Sequence, residues 1–243
     1  MCGISGVVGL KSISELLFEG VRNLEYRGYD SCGVALMNKT RLIIKKDIGG
    51  VEEFYRKHNV LQLKSKIGIA HTRWATHGKV TQNNTHPFTS SDGNFAVVHN
   101  GIISNYRPLR EQLKKEGFKF SSETDTEVLA HLIGELYDGD LETAVQAALR
   151  EVTGAYAIAV ICEEEPDVLV AARKGSPLLV GVGKDEYVVA SDSSAIVAHT
   201  TQAFLLGDET VARLTRDSFR TTTVDNVELT PEIQELEFTL EQI

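Results

Sequence analysis

The sequence predicts an α+β fold in which antiparallel sheets are covered by layers of helices, and three observations lead there. Short apolar runs of strand length punctuate almost the whole chain. Segments with helical period fall in groups between those runs and do not alternate with them one for one, which disfavours a doubly wound parallel sheet. Finally, 243 residues with 42% hydrophobic content can bury a full core as one domain without metal or disulfide staples.

The elements follow in order. Residues 3–9 are glycine and apolar residues and read as a buried strand. Over 12–27, Ile13, Leu16, Leu17, Val21 and Leu24 share one helical face, and Ser12 with Glu15 has the spacing of a capping box. Strands are expected at 33–37, 42–46, 67–71 and 95–99, then helices at 104–116, 124–137 and 140–152. Thr124 and Glu127 repeat the capping box, and Val128, Leu129, Leu132, Ile133 and Leu136 give a broad apolar face. Further strands are expected at 155–162, 168–173, 178–183, 187–191, 204–206 and 210–214.

Near the end, Thr230-Pro231 offers a cap followed by proline at the first helical position, with Ile233, Leu236, Leu240 and Ile243 on one face. The charges from Asp225 onward are all acidic, and the chain stops inside this pattern without a C-cap signal. Two readings stay open, a piece of a longer protein and a solvated tail. One domain is expected over 2–224, with 225–243 as the start of a linker.

Composition excludes several functions. A net charge of −9 disfavours nucleic acid and anionic membrane surfaces, and no apolar run approaches the ~20 residues that span a bilayer. The apolar stretch after Met1 lacks a basic flank and a small-residue cleavage site, so a cytoplasmic location is expected. Cys2, Cys32 and Cys162 are odd in number and lack CxxC spacing, which argues against disulfides and a structural metal; no metal and no cofactor is expected.

Four groups of residues could carry chemistry. Removal of Met1 would place a thiol and a free α-amine on Cys2, a nucleophile with its own base near neutrality; the alternative is a small apolar residue opening a strand. His71-Thr72-Arg73-Trp74-Ala75-Thr76-His77-Gly78 follows a strand, where a guanidinium can grip a carboxylate, hydroxyl and imidazole groups can orient an amide, and an indole can close a pocket. A polar loop with a half-buried tryptophan explains the same residues. His99-Asn100-Gly101 ends another strand; an amide NH₂ and a glycine N–H can meet the negative charge that develops on a carbonyl oxygen in acyl transfer, while a plain Asn-Gly turn is the alternative. Within Glu123-Thr124-Asp125-Thr126-Glu127, Asp125 can hold the α-ammonium of an amino acid, although helix capping alone accounts for the acids.

In their order and spacing, Cys2-Gly3-Ile4, the run from Leu24 to Ser31, Ala70 to Gly78, His86-Pro87, Val97 to Ile103 and Ser122 to Val128 resemble the glutaminase domain of the glutamine:fructose-6-phosphate aminotransferase family, the glucosamine-6-phosphate synthases of hexosamine biosynthesis. The resemblance runs from Cys2 to about Ser191 and weakens afterward. It implies a four-layer αββα sandwich of the N-terminal-nucleophile hydrolase type and a Cys2 thioester with L-glutamine, hydrolysed to glutamate after ammonia leaves. By matching motif, Cys2 would be nucleophile and base, and Asn100 with the Gly101 N–H the oxyanion hole. Arg73 would bind the substrate carboxylate and Asp125 its ammonium; Trp74, Thr76 and His77 would line or close the pocket. The resemblance also implies a C-terminal sugar isomerase domain as partner in a parent that is a homo-oligomer. That half is absent here, so bare glutaminase is the expected activity. Cys32 departs from the family, which has alanine at that place, and adds a thiol. Another class II amidotransferase, or a silent glutamine-binding module if Met1 is retained, are the alternatives.

Overall fold

The computed structural model describes residues 2–74, 79–197 and 199–236. The chain begins with β1 (Gly3–Gly9), α1 (Ser14–Asn23), β2 (Ser31–Asn38), β3 (Arg41–Ile48), α2 (Val51–Lys57) and β4 (Ile67–Arg73). After β5 (Phe88–Thr89) and β6 (Phe95–Ile103) come α3 (Tyr106–Lys115), α4 (Asp125–Glu135) and α5 (Leu141–Glu151). Strands β7 (Gly154–Cys162), β8 (Leu169–Lys174), β9 (Leu179–Gly183), β10 (Glu186–Ala190), β11 (Gln202–Leu205), β12 (Thr210–Leu214), β13 (Phe219–Thr223), β14 (Glu228–Leu229) and β15 (Gln234–Glu235) complete it.

Among the described residues the strands form two antiparallel sheets, ordered β15-β11-β9-β10-β1-β4-β2-β3 and β14-β13-β12-β8-β7-β6-β5. Side-chain alternation then builds the layers. Ile4 and Val8 of β1, Ile69 of β4, and Ala96 and Val98 of β6 meet in the core between the sheets. Val7, Cys32, Val34 and Ala70 face the other way, against α1 and α2, while Val97, Ile103 and Val160 pack beneath α3, α4 and α5. Three cores separate four layers, the αββα sandwich that the resemblance implied.

Several local expectations need correction. Ser12 does not cap α1, whose N-cap is Ile13 without a side-chain bond. At α4, Thr124 is the N-cap but makes no side-chain cap; the Glu127 carboxylate instead accepts the backbone N–H groups of Ser121 and Ser122 at 2.7 Å each, with their hydroxyls also donating to it. The glutamate thus caps the loop ahead of the helix. Asn100 and Gly101 form no turn: they lie inside β6, opposite Ala157 and Tyr156 of β7.

The helix expected after Thr230-Pro231 does not start there. Residues 234–235 pair as an edge strand with β11, the Leu236 N–H donates to the Thr201 carbonyl at 2.7 Å, and the Leu236 side chain packs onto the core under α1 and α2. An isolated amphipathic turn has little stability of its own, and sheet-edge pairing with burial of Leu236 outweighs it. Leu240 and Ile243 lie outside the described residues. No described helix is long and apolar enough to cross a membrane.

Candidate active site

The site gathers where strands of both sheets end. Gly3 pairs with Thr72 and Ser31 with Arg73, so the start of β1, the end of β4 and the start of β2 meet at one edge of the first sheet. Counting by twos from Ile4 and Ile69, Cys2, His71 and Arg73 point toward the second sheet; counting from Val98, Asn100 points back toward them.

The contacts agree with that alternation. Asn100 Nδ2 donates to the Cys2 carbonyl oxygen at 2.9 Å across the gap between the sheets. The half-buried Cys2 thiol sits against the Trp74 peptide: the Trp74 N–H donates to Sγ at 3.4 Å and the thiol donates to the Trp74 carbonyl at 3.6 Å. Burial pushes the Cys2 thiol up, while the Trp74 N–H and the nearby Arg73 charge pull it down and Asp30 adds to the rise. Such a thiol needs a base within reach to become a nucleophile, and an α-amine on the same residue meets that need.

The Trp74 peptide is itself held in place. Gly28 lies so close that a Cβ there would come within 2.6 Å of both Arg73 C and Trp74 N, hence the glycine in this loop. The Asp30 N–H donates to the Arg73 carbonyl at 3.0 Å, and Tyr29 meets the Trp74 ring edge-on at 5.5 Å. Arg27 is paired with Asp192, anchoring this loop next to the end of β10. Arg73 is buried and donates from Nη1 to the Lys79 carbonyl at 3.4 Å.

Gly101 has φ +129°, and a Cβ there would stand 2.1 Å from the Ala155 carbonyl oxygen, so only glycine fits between β6 and β7 here. Two residues on, the Ile103 N–H donates to Asp125 Oδ2 at 2.8 Å, which fixes the first residue of α4 beside the end of β6. The structure therefore joins Cys2, Trp74 and Asn100 by direct contact and brings Arg73, Gly101 and Asp125 in as immediate neighbours of those contacts. Thr76 and His77 lie outside the described residues.

The sequence names His71, His86 and His99 within its motifs but does not show that they stand together behind this face. His71, His86 and His99 are buried together with Thr126. The rings of His71 and His86 stack at 4.0 Å, and Thr126 Oγ1 lies 3.0 Å from both His86 Nε2 and His99 Nδ1. Burial holds all three imidazoles neutral, pulling His71 down to about 3 and His86 and His99 in the same direction. His71 continues the strand face of Ile67 and Ile69, and His99 that of Phe95 and Val97, the one signal that could have marked them as buried. Cys32 is fully buried on the opposite face of the first sheet, and Cys162 is buried under the α3–α5 layer, so neither thiol shares the site.

A family of glutamine amidotransferase domains matches residues 57–238. The chain belongs to this family. The isomerizing glutamine–fructose-6-phosphate aminotransferase of Chlorobaculum tepidum is 46% identical over 249 residues, covering 100% of this chain and 41% of the relative. That of Aquifex aeolicus is 50% identical over 218 residues, covering 90% and 37%. The amidotransferase domain thus spans about two fifths of the length of these relatives. Among solved structures, the glutamine phosphoribosylpyrophosphate amidotransferase of B. subtilis, complexed with ADP and GMP, superposes with a TM-score of 0.80 at 27% identity, covering 92% of this chain and 49% of that one. A class-II glutamine aminotransferase domain protein from Silicibacter pomeroyi shares the fold, with a TM-score of 0.63 at 16% identity over 92% of this chain and 99% of that one.

Proposed function

We propose that this amidotransferase domain hydrolyses L-glutamine through a Cys2 thioester and serves as the glutaminase half of an isomerizing glutamine:fructose-6-phosphate aminotransferase. With Met1 removed, the α-amine takes the thiol proton and Sγ attacks the side-chain amide carbon. The carbonyl oxygen becomes an oxyanion met by Asn100 Nδ2 and the Gly101 N–H, and the tetrahedral adduct collapses as the protonated nitrogen leaves as ammonia. Water then adds to the thioester and the same donors serve again, releasing glutamate and the thiol. Arg73 takes the α-carboxylate and Asp125 the α-ammonium, with Trp74, Thr76 and His77 closing the pocket.

The observation that carries this reading is the direct bond from Asn100 Nδ2 to the residue bearing the thiol, 2.9 Å from its carbonyl oxygen. It sets an amide donor beside the nucleophile, as acyl transfer requires. In the full-length parent, a cytoplasmic homo-oligomer, ammonia passes to fructose 6-phosphate in a C-terminal sugar isomerase domain. The high identity to aminotransferases of that name supports this acceptor over phosphoribosyl pyrophosphate.

The test is glutamate formation from L-glutamine by the purified chain after mass spectrometry shows Met1 gone, with Cys2→Ala as control. Activity that a glutamine-analogue electrophile abolishes by labelling Cys2 is expected. Equal rates from the wild type and Cys2→Ala would refute the thioester.

A further inference from the structure

We propose that His71 is a positioning residue for the reaction: its Nε2–H fixes which way the Asn100 amide faces, and so keeps the Asn100 NH₂ turned toward Cys2. This deepens the oxyanion-hole reading of Asn100 and rests on it.

An asparagine amide presents a donor on one side and an acceptor on the other, and in a crowded site the difference between the two orientations is set by its neighbours. Two acceptors surround His71 Nε2. The His99 carbonyl oxygen lies at 3.2 Å and Asn100 Oδ1 at 2.9 Å. A backbone carbonyl can only accept, so Nε2 must carry the hydrogen whichever way the asparagine faces. A nitrogen bearing that hydrogen then requires an acceptor from Asn100, which places Oδ1 at His71 and leaves Nδ2 for the Cys2 carbonyl at 2.9 Å. Turning the amide over would set N–H against N–H at His71 and oxygen against oxygen at Cys2.

The surroundings hold His71 in that state. The ring is buried, stacked on His86, and kept neutral by desolvation, so it carries one hydrogen, and the carbonyl of His99 assigns it to Nε2. His86 and His99 in turn converge on Thr126 Oγ1, whose residue follows Asp125 in α4. The nucleophile strand, the oxyanion strand and the helix carrying Asp125 are therefore linked behind the substrate face by one hydrogen-bonded group. His71 itself touches neither Cys2 Sγ nor the substrate in this scheme; it acts through Asn100.

Steady-state glutaminase kinetics on the processed chain test this, with four variants. His71→Leu should lower kcat about tenfold with KM within about twofold, because one buried hydrogen bond biases the amide by roughly that factor. His71→Gln, whose amide nitrogen reaches the place of Nε2, should recover most of kcat; His71→Asn, whose nitrogen falls near Nδ1, should not. In an Asn100→Ala background, itself expected to lose about 100-fold or more, His71→Leu should have almost no further effect, since residues acting through one contact are not additive. Unchanged kcat in His71→Leu beside a large loss in Asn100→Ala would overturn the inference and leave the oxyanion assignment standing. An unaffected Asn100→Ala would overturn that assignment and the inference with it. Full additivity in the double variant, or equal losses in His71→Gln and His71→Asn, would reduce His71 to a core residue; the latter pair decides the matter even if His71→Leu does not fold.

Discussion

The buried imidazoles make the fold sensitive to mild acid, and the size of the effect can be worked out for His71. Its folded value is pulled from 6.5 down to about 3 by burial. Between those two values the unfolded chain binds a proton that the native chain does not. Stability therefore rises with pH across this window, is complete above about 6.5, and drains away as pH falls toward 3. At pH 5.5 the unfolded state gains RT ln(1 + 10), about 1.4 kcal/mol, from protonating this one ring. The figure depends little on how far below 5.5 the native value lies. His86, His99 and His131, all lowered chiefly by burial, act with the same sign, so the total exceeds that of His71 alone. Asp47, Glu127, Asp140 and Asp192 have lowered values, so their contribution acts with the same sign but is lost only as pH falls below their ordinary values of 3.8 and 4.5, well under pH 5.5; Glu186 is raised and opposes the trend weakly. For a domain of typical stability, about 5–15 kcal/mol, the loss is substantial. Urea unfolding followed by circular dichroism and by the fluorescence of Trp74 should show the midpoint falling by about 0.5 M or more between pH 7.5 and 5.5. A midpoint that stays constant over that range would mean that the imidazoles are not held neutral in the native state.

Three further outcomes are expected. Asp125→Ala should raise KM for glutamine by about 10-fold to 100-fold through loss of a charge-assisted contact, and lower stability as the Ile103 N–H loses its partner. Asp125→Asn should separate the two effects, keeping an acceptor for Ile103 and a near-normal melting temperature while KM stays raised; an unchanged KM in both variants would remove Asp125 from the substrate site. Gly101→Ala must place a Cβ 2.1 Å from the Ala155 oxygen at φ +129°, so it should cost about 1–3 kcal/mol or more and nearly all activity; a wild-type melting curve would contradict the strand geometry. Alkylation of the native chain should stop at one equivalent, on Cys2, since Cys32 and Cys162 are fully buried and burial pushes both thiols up, Cys162 to about 12; labelling of Cys32 in peptide maps would refute this.

The parts of the fold legible in the sequence were those whose pattern is set by local burial. β1, β4, β6 and β7 are short runs with little else to become, and α4 and α5 have enough turns for their apolar faces to declare a period. α2 went unread because seven residues bury only Val51, Phe54 and Tyr55, too few repeats to establish one. β13 was equally silent: Phe219–Thr223 carries mainly threonines and an arginine, and it is a strand because β12 offers it an edge. The end of the chain misled for the same reason in reverse, since Ile233 and Leu236 have helical spacing but an available strand edge decides the outcome. At the site, Cys2, Arg73, Asn100 and Asp125 could be singled out because their motifs occur together in one order and spacing; each alone also reads as a strand start, a polar loop, a turn or a helix cap. For His71 the sequence offers only an imidazole able to orient an amide; which amide it meets depends on a carbonyl and a side chain from a strand 28 and 29 residues away on another sheet.

That cross-sheet dependence explains a feature of the core that packing alone would not require. Facing sheets usually stand about 10 Å apart, filled by branched side chains from both faces. A short Asn100 side chain reaches from the second sheet to the backbone of Cys2 on the first. The layer between the sheets is correspondingly supplied with small residues: Ala96 of β6, Ala157 and Ala159 of β7, Ala171 of β8 and Ala212 of β12 all lie in it, facing Ile4, Ile69 and Val189 of the first sheet. Small residues set among branched ones, which the second sheet also supplies in Val98, Ile161 and Leu169, allow close approach without leaving voids. The distance between Cys2 and Asn100 is thus set by the core between the sheets and by strands hydrogen-bonded along their length, so the contacts proposed for catalysis are organised without a substrate. Preorganisation of this kind is what makes an oxyanion donor effective, because little reorganisation remains to be done as charge develops. Tyr29 and Trp74, in contrast, are exposed and pack edge-on against each other at loop and strand-end positions beside the Cys2 contact, so neither ring is part of the core that fixes the distance between the sheets.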